Sequence, residues 1–273
     1  MNHNLFRNLY PNTFVFDLEY IGYSTDLNKC YIWEFGIVHL HTQESLNLTI
    51  DPQIRPLPKP FSDDFCQVTQ DLLENRNAIS FPRAWNMIIN WIARFGQPVL
   101  FISHNCFKSD KIVLEAEIKR NNLKLPLNWY FFDSLIFCRF IRPKLNSYTL
   151  TDLYQHVCYQ PIQNAHSALD DAFSLVQVLL KINIFSLEGP IYPSYCTSLQ
   201  IVKWLGPSCE KVLFENEIRS LEQLKMLIIS EYALNCLRSN INLTEYVRLK
   251  LISLGIKPGN ASSISNSIVD RWI

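Results

Sequence analysis

Residues 164–180 read NAHSALDDAFSLVQVLL, an apolar helix that carries two adjacent aspartates and is preceded by a histidine. Successive helical residues advance by roughly 100°. Starting at Ser167, that step puts Ala168, Ala172, Leu175, Val176 and Leu179 on one stripe, the face such a helix buries. Asp170 falls on the opposite, solvated side with Ser174 and Gln177. Asp171 falls inside the apolar arc, between Leu175 and Val178. A carboxylate aimed at a core is costly unless something pairs with it. Any fold open to this chain must therefore bring a partner to Asp171.

Two other segments carry carboxylates of the same kind. In FVFDLEY, Asp17 and Glu19 stand two apart on a strand and so share one face. The strand is otherwise apolar, as a central strand would be. Two carboxylates side by side in a covered sheet stay ionised only if a cation sits between them. In SHNCFKSDKIVLEAE a strand ends at Ser103 and a helix begins near Lys108, which places Asp110 in the first turn on the face of Val113 and Leu114. A helix N-terminus tolerates an acid there. Singly, these are an ordinary edge-strand pair and an ordinary first-turn acid. Taken together, hard oxygen ligands without cysteine suit magnesium or manganese rather than zinc. Two such ions about 4 Å apart activate a water and stabilise a leaving oxygen in phosphodiester hydrolysis. His166 lies five residues before Asp171, so it must sit in the loop ahead of the helix. With a pKa of about 6.5, a histidine there deprotonates an attacking water at neutral pH.

The chain has 273 residues, enough for one large core and a smaller second unit. Basic and acidic residues balance at 25 each, so no global charge announces nucleic-acid binding. The eight cysteines are scattered with no C-x-x-C pair, which reads as reduced thiols of an intracellular protein. No apolar run approaches the roughly 18 residues of a membrane span, and MNHNLFRNLYPN lacks a signal-peptide core. The expectation is a protein of the cytoplasm or nucleus with no membrane partner, and chance sequons at Asn47, Asn242 and Asn260.

TFVFDLEYIG, CYIWEFGIVHL and SLNLTI read as three strands of an antiparallel meander. FPRAWNMIINWIARFG has helical spacing and ends at a glycine. PVLFIS and NWYFFD are short apolar runs, as buried strands are, and SDKIVLEAEIKRN and SYTLTDLYQHV are helices. Strands first, then alternation, predict a mixed five-stranded α/β sheet flanked by helices over residues 1–183. Residues 184–197, with two prolines, a glycine and no periodicity, read as a linker. A small all-α domain is expected over 198–273.

FVFDLEYIGY, ISHNCFKSDKIVLEAE and HSALDDA resemble, in order and spacing, the three motifs of the DnaQ-like DEDDh 3′–5′ exonucleases. The resemblance covers roughly residues 12–182 and includes IWEFGIV after the first motif. It implies a ribonuclease H-like fold and a metal-dependent exonuclease removing nucleotides from 3′ ends of nucleic acid; single-stranded DNA is the expected substrate, with RNA as the second. It further implies two Mg2+ or Mn2+ ions held by Asp17, Glu19, Asp110 and Asp171, with His166 as general base, and so selects Asp171 over Asp170. Tyr20, Ile21, His104 and Asn105 are implied to line the substrate. Tyr20 and Ile21 replace the threonine pair of many members, so substrate preference does not carry over. The second motif has one residue more than the commonest spacing, but Ser109 cannot replace a carboxylate, so Asp110 is the ligand expected. The competing reading is a silent nucleic-acid-binding or scaffolding protein on the same fold; the complete ligand set argues against it.

In VKWLGPSCEKVLFENEIRSLEQLKML, Gly206-Pro207 opens a helix with Pro207 in its first turn, and Ser220 caps the next. The pattern resembles the helix-hairpin-helix-like C-terminal domain of TfoX competence regulators. Such units offer N–H groups at a helix start to phosphate, which would make Gly206 a DNA backbone contact. A helical protein-interaction or packing module fits the same pattern. Residues 241–273 add two helices around the turn GIKPGN.

Overall fold

The computed structural model describes residues 12–22, 26–57, 68–142, 144–162, 167–184, 192–193, 199, 202, 204–235 and 243–272. The chain divides into two compact units, Met1–Ser194 and Tyr195–Ile273.

The first unit is built on a sheet of order β4-β3-β2-β1-β5-β6-β7. Its centre comprises β1 (Asn12–Ile21), β2 (Tyr31–His39), β3 (Ser45–Asp51), β5 (Val99–Ser103) and β6 (Trp129–Asp133). β1, β2 and β3 pair antiparallel, while β1, β5 and β6 run parallel. The sheet is ribonuclease H-like and mixed, and two two-residue strands extend the expected five to seven. One is β4 (Ile79–Ser80) beside β3; the other is β7 (Tyr192–Pro193), antiparallel to β6. β7 corrects the linker assignment, because Tyr192–Pro193 belongs to the sheet. An edge strand has room for a proline that cannot donate to the ladder.

The helices are α1 (Gln70–Asn75), α2 (Phe81–Ala93), α3 (Asp110–Arg120), α4 (Ser134–Ile141), α5 (Leu150–Cys158) and α6 (Ala168–Lys181). Two short ones, α1 and α4, span about two turns or fewer, too few for a period to mark them in the sequence, and each starts at a side-chain cap. Thr69 accepts from the Leu72 N–H, and Asp133 from the Leu135 N–H at 2.9 Å. Alternate residues divide the sheet into two faces. On one, Phe14, Phe16, Phe101 and Phe131 contact one another with centroids 5.4 to 6.3 Å apart, and Trp91 of α2 meets Phe14 edge-on. On the other, Val15, Val38, Leu100 and Ile102 meet Ala172, Leu175, Val176 and Leu179 of α6. The predicted stripe is buried as expected, but Ser174 is buried too. α5 covers that flank of α6, where Val178 clusters with Leu153 and Cys138.

The second unit holds α7 (Pro207–Glu215), α8 (Leu221–Asn235), α9 (Leu243–Ser253) and α10 (Pro258–Trp272) around their own apolar core. Pro207 starts α7, and Ser220 accepts from the Gln223 N–H while Gln223 accepts from the Arg219 and Ser220 N–H groups. No helix among the described residues is long and apolar enough to cross a membrane.

Candidate active site

Parallel pairing between β1 and β5 stops at Val15–Ile102, while β1 continues to Ile21. The strands thus part where Asp17 and Glu19 stand, and α3 begins in that gap. The Leu18 N–H, with no β5 partner, donates to Asp110 Oδ1 at 3.2 Å. This bond fixes Asp110 beside the first motif, and Asp110 is fully inside, 3% exposed. From the other side, α6 brings Asp171 across β1 and β2.

Asp17, Glu19 and Asp171 each present a carboxylate oxygen, and these oxygens lie within 4.8 Å of one another. Asp110 lies outside that trio, although its charge is the strongest acting on Asp17. Burial pushes Asp17 well above the carboxylate range, and the charges of Asp110, Glu19, Asp171 and Glu34 push it further. Burial likewise lifts Glu19 to about 8, with Asp171, Glu34 and Asp110 adding to it. Asp110 rises to about 7, chiefly through burial. So many acids in one place, with hard oxygen donors facing each other, fit a divalent cation.

A pH dependence follows from those directions. A raised carboxylate pKa means that the folded state binds more protons than the unfolded one, so stability is lost as pH rises through the folded value. Burial lowers His104 to about 4, so its contribution is lost only toward acid and is constant above pH ~6.5. Between pH ~6.5 and ~8, the metal-free protein is expected to lose thermal stability, because Asp110 and Glu19 keep their protons in the fold up to about 7 and about 8 while the unfolded chain has already released them; the loss levels off above that. Mn2+ at a hundredfold excess over Kd is expected to restore roughly 5–10 °C at the upper end and less at the lower. Melting curves in EDTA and Mn2+ check this; a pH-independent metal effect would refute it.

The profile of the exonuclease family (RNase_T) matches residues 14–179, well over half of the chain. The chain belongs to that family. Among solved structures it is similar to the nuclease domain of 3′hExo, a DEDDh family member, bound to rAMP: TM-score 0.53 and 18% identity, covering 67% of this chain and 96% of that one. A full-length 3′-exonuclease gives TM-score 0.55 at 16% identity, covering 67% and 85%. A 3′-exonuclease in 3′-end-specific recognition of a histone mRNA stem-loop gives 0.54 at 15%, covering 65% and 64%. No curated protein sequence matches the chain.

Within this exonuclease domain, the residues expected to line the substrate have different surroundings. Ile21 is a correction. It is 4% exposed and packs with Trp33, Val68 and Leu73, so its side chain is core. The reason is a bulge: Glu19 pairs with Glu34 but Tyr20 pairs with Ile32, leaving Trp33 as the extra residue that joins Ile21. Tyr20 is half-buried and shares a 2.8 Å hydrogen bond between its hydroxyl and that of Ser109, tying β1 to the start of α3. His104 uses both ring nitrogens within the protein. Nε2 donates to the Tyr148 carbonyl at 2.7 Å, leaving Nδ1, 3.0 Å from Ser134 Oγ, as the acceptor of a neutral ring. Asn105 is half-buried in a left-handed turn, φ 61°, a conformation asparagine tolerates. His166 lies outside the described residues; Ser167, at the N-cap of α6, follows it directly. Gly206 precedes α7, and a Cβ there would meet nothing within 4 Å.

Sequence reasoning missed two residues on β2. Glu34, 1% exposed, takes hydrogen bonds from Asn47, Arg76 and the Ala168 N–H. Gly36 pairs with Asp17, and a Cβ on it would lie 2.3 Å from the carbonyl carbon of Ala168. A charged residue and a glycine inside IWEFGIV, an otherwise apolar strand, were the available signal.

Proposed function

We propose that this chain is a metal-dependent 3′–5′ exonuclease acting on single-stranded 3′ ends of nucleic acid. The convergence of Asp17, Glu19 and Asp171 from a strand and a helix, with oxygens within 4.8 Å, carries the reading. Asp17, Glu19, Asp110 and Asp171 would hold two divalent ions, Mg2+ or Mn2+. Such ions supply Lewis acidity toward a phosphodiester and lower the pKa of a bound water. The chain's own part is to hold its acids in place, where burial and mutual repulsion leave them protonated until a cation favours the ionised forms. Asp110 is fixed by the Leu18 amide, and Asp171 by the seat of α6 on β2.

His166 is the general base in this reading, receiving the proton of the attacking water. Its position in the sequence, immediately before the N-cap of the helix that carries Asp171, supports the role. His166→Ala is expected to lower the rate by about 10²–10⁴ and to remove the acid limb of the pH–rate profile near pH ~6.5. Steady-state rates between pH 5.5 and 8.5 check both, and an unchanged acid limb would move the role elsewhere.

The reading is tested with 5′-labelled single-stranded DNA and RNA of equal sequence, in magnesium, manganese or EDTA. A ladder shortening from the 3′ end, lost in EDTA, is the expected result. Two of the similar structures concern ribonucleotide ligands, so both strands enter the assay. Intact strands in every lane would replace the enzyme with a binding protein on the same fold.

A further inference from the structure

Glu34 faces Glu19 across β1 and β2. Like charges directly opposed on neighbouring strands are unfavourable, so a buried acid here needs a reason. Its oxygens have divided tasks. Oε1 accepts from Asn47 Nδ2 at 2.9 Å and from the Arg76 guanidinium at 3.2 Å. Oε2 accepts from the backbone N–H of Ala168 at 3.3 Å. Ala168 opens α6, three residues before Asp171, and its amide is one of those that a helix start leaves without a partner. Ser167, at the N-cap, makes no side-chain cap bond. The missing cap is thus supplied from another element, with its negative charge at the positive end of the helix dipole.

We propose that Glu34 is a positioning residue: it caps α6 from β2 and so sets where Asp171 stands relative to Asp17 and Glu19. The proposal rests on the metal-site reading above and adds a residue that touches neither metal nor substrate. Arg76 offsets the charge of Glu34, and Asn47 holds its carboxylate toward the helix.

Position and charge separate in two variants of the full chain. Glu34→Ala and Glu34→Gln both remove the negative charge, but glutamine keeps an oxygen for the Ala168 N–H, and Asn47 can turn its own oxygen to the new amide. Loss of partners that orient metal-holding carboxylates typically costs about 10–100-fold in metal affinity. Glu34→Ala is expected to lose Mn2+ affinity in that range by calorimetry, and Glu34→Gln to stay within about threefold of wild type. In hydrogen exchange without metal, the amides of residues 168–172 are expected to exchange about 2- to 30-fold faster in Glu34→Ala. Equal loss of affinity in both variants would show that only charge matters and overturn the proposal. Unchanged exchange in Glu34→Ala would overturn it whatever the metal does. If wild type binds no Mn2+, the metal reading fails, while the exchange still decides the cap. Should Glu34→Ala not fold, Asn47→Ala carries the test. That exposed residue orients the carboxylate, so several-fold weaker Mn2+ binding and faster α6 exchange are expected, and wild-type values would refute the proposal.

Discussion

Asp171→Ala will leave the fold standing and lower nucleic-acid hydrolysis by on the order of 10³ or more. A divalent ion contributes several kcal/mol to a phosphoryl transition state, and each ~1.4 kcal/mol is tenfold in rate. Asp171 is one of three side chains whose oxygens converge within 4.8 Å, and the only one of them on α6. Its charge also raises both Asp17 and Glu19. Removing it therefore relieves repulsion, and the metal-free variant at pH ~8 is expected to melt no lower than wild type. Stability kept and activity lost is the signature of a ligand; a core acid would give the reverse. Asp170→Ala is the control, one residue away and outside the trio, and should keep activity within a few-fold. Hydrolysis by Asp171→Ala within tenfold of wild type would remove the residue from the site.

Gly36→Val should destabilise the first unit by about 3 kcal/mol or more and abolish metal binding with it. The Cβ of any other residue would stand 2.3 Å from both the carbonyl carbon of Ala168 and the amide nitrogen of Leu169. Both are backbone atoms, so no rotamer change makes room. The start of α6 must lift off β2, which breaks the Glu34–Ala168 bond and withdraws Asp171 from Asp17, the residue paired with Gly36. For a unit of this size the loss corresponds to roughly 6–12 °C in Tm. Gly259→Ala in α10, where an added Cβ meets nothing within 4 Å, should be neutral or stabilising by up to about 1 kcal/mol. Urea midpoints of the three proteins decide it. A Gly36→Val midpoint equal to wild type would mean that α6 is seated by other contacts.

Much of this site was legible from side-chain type and period alone. Asp171 in an apolar arc and Asp17 with Glu19 on one strand face are local facts, because 3.6- and 2-residue periods assign a face without knowing what lies opposite. The central strands were legible for the same reason, each being a run of apolar residues with clear ends. Ile21 was misjudged because strand alternation cannot register a bulge on the neighbouring strand. Ser174 was misjudged because one period assigns one buried face, whereas α6 lies between the sheet and α5. The short helices α1 and α4 depend on caps more than on periodicity.

The sequence by itself determined which side chains had to be reconciled: three separate segments with acids facing inward. It also determined the alternation that makes the sheet, since apolar period is a property of consecutive residues. Only the tertiary structure decided how those acids meet. The gap where β1 and β5 part, the Leu18 amide that holds Asp110, and the seat of α6 on Gly36 and Glu34 all join residues far apart in the chain. Hydrogen bonds and close approaches of that kind depend on register between elements, and register leaves no mark in a single strand or helix read alone.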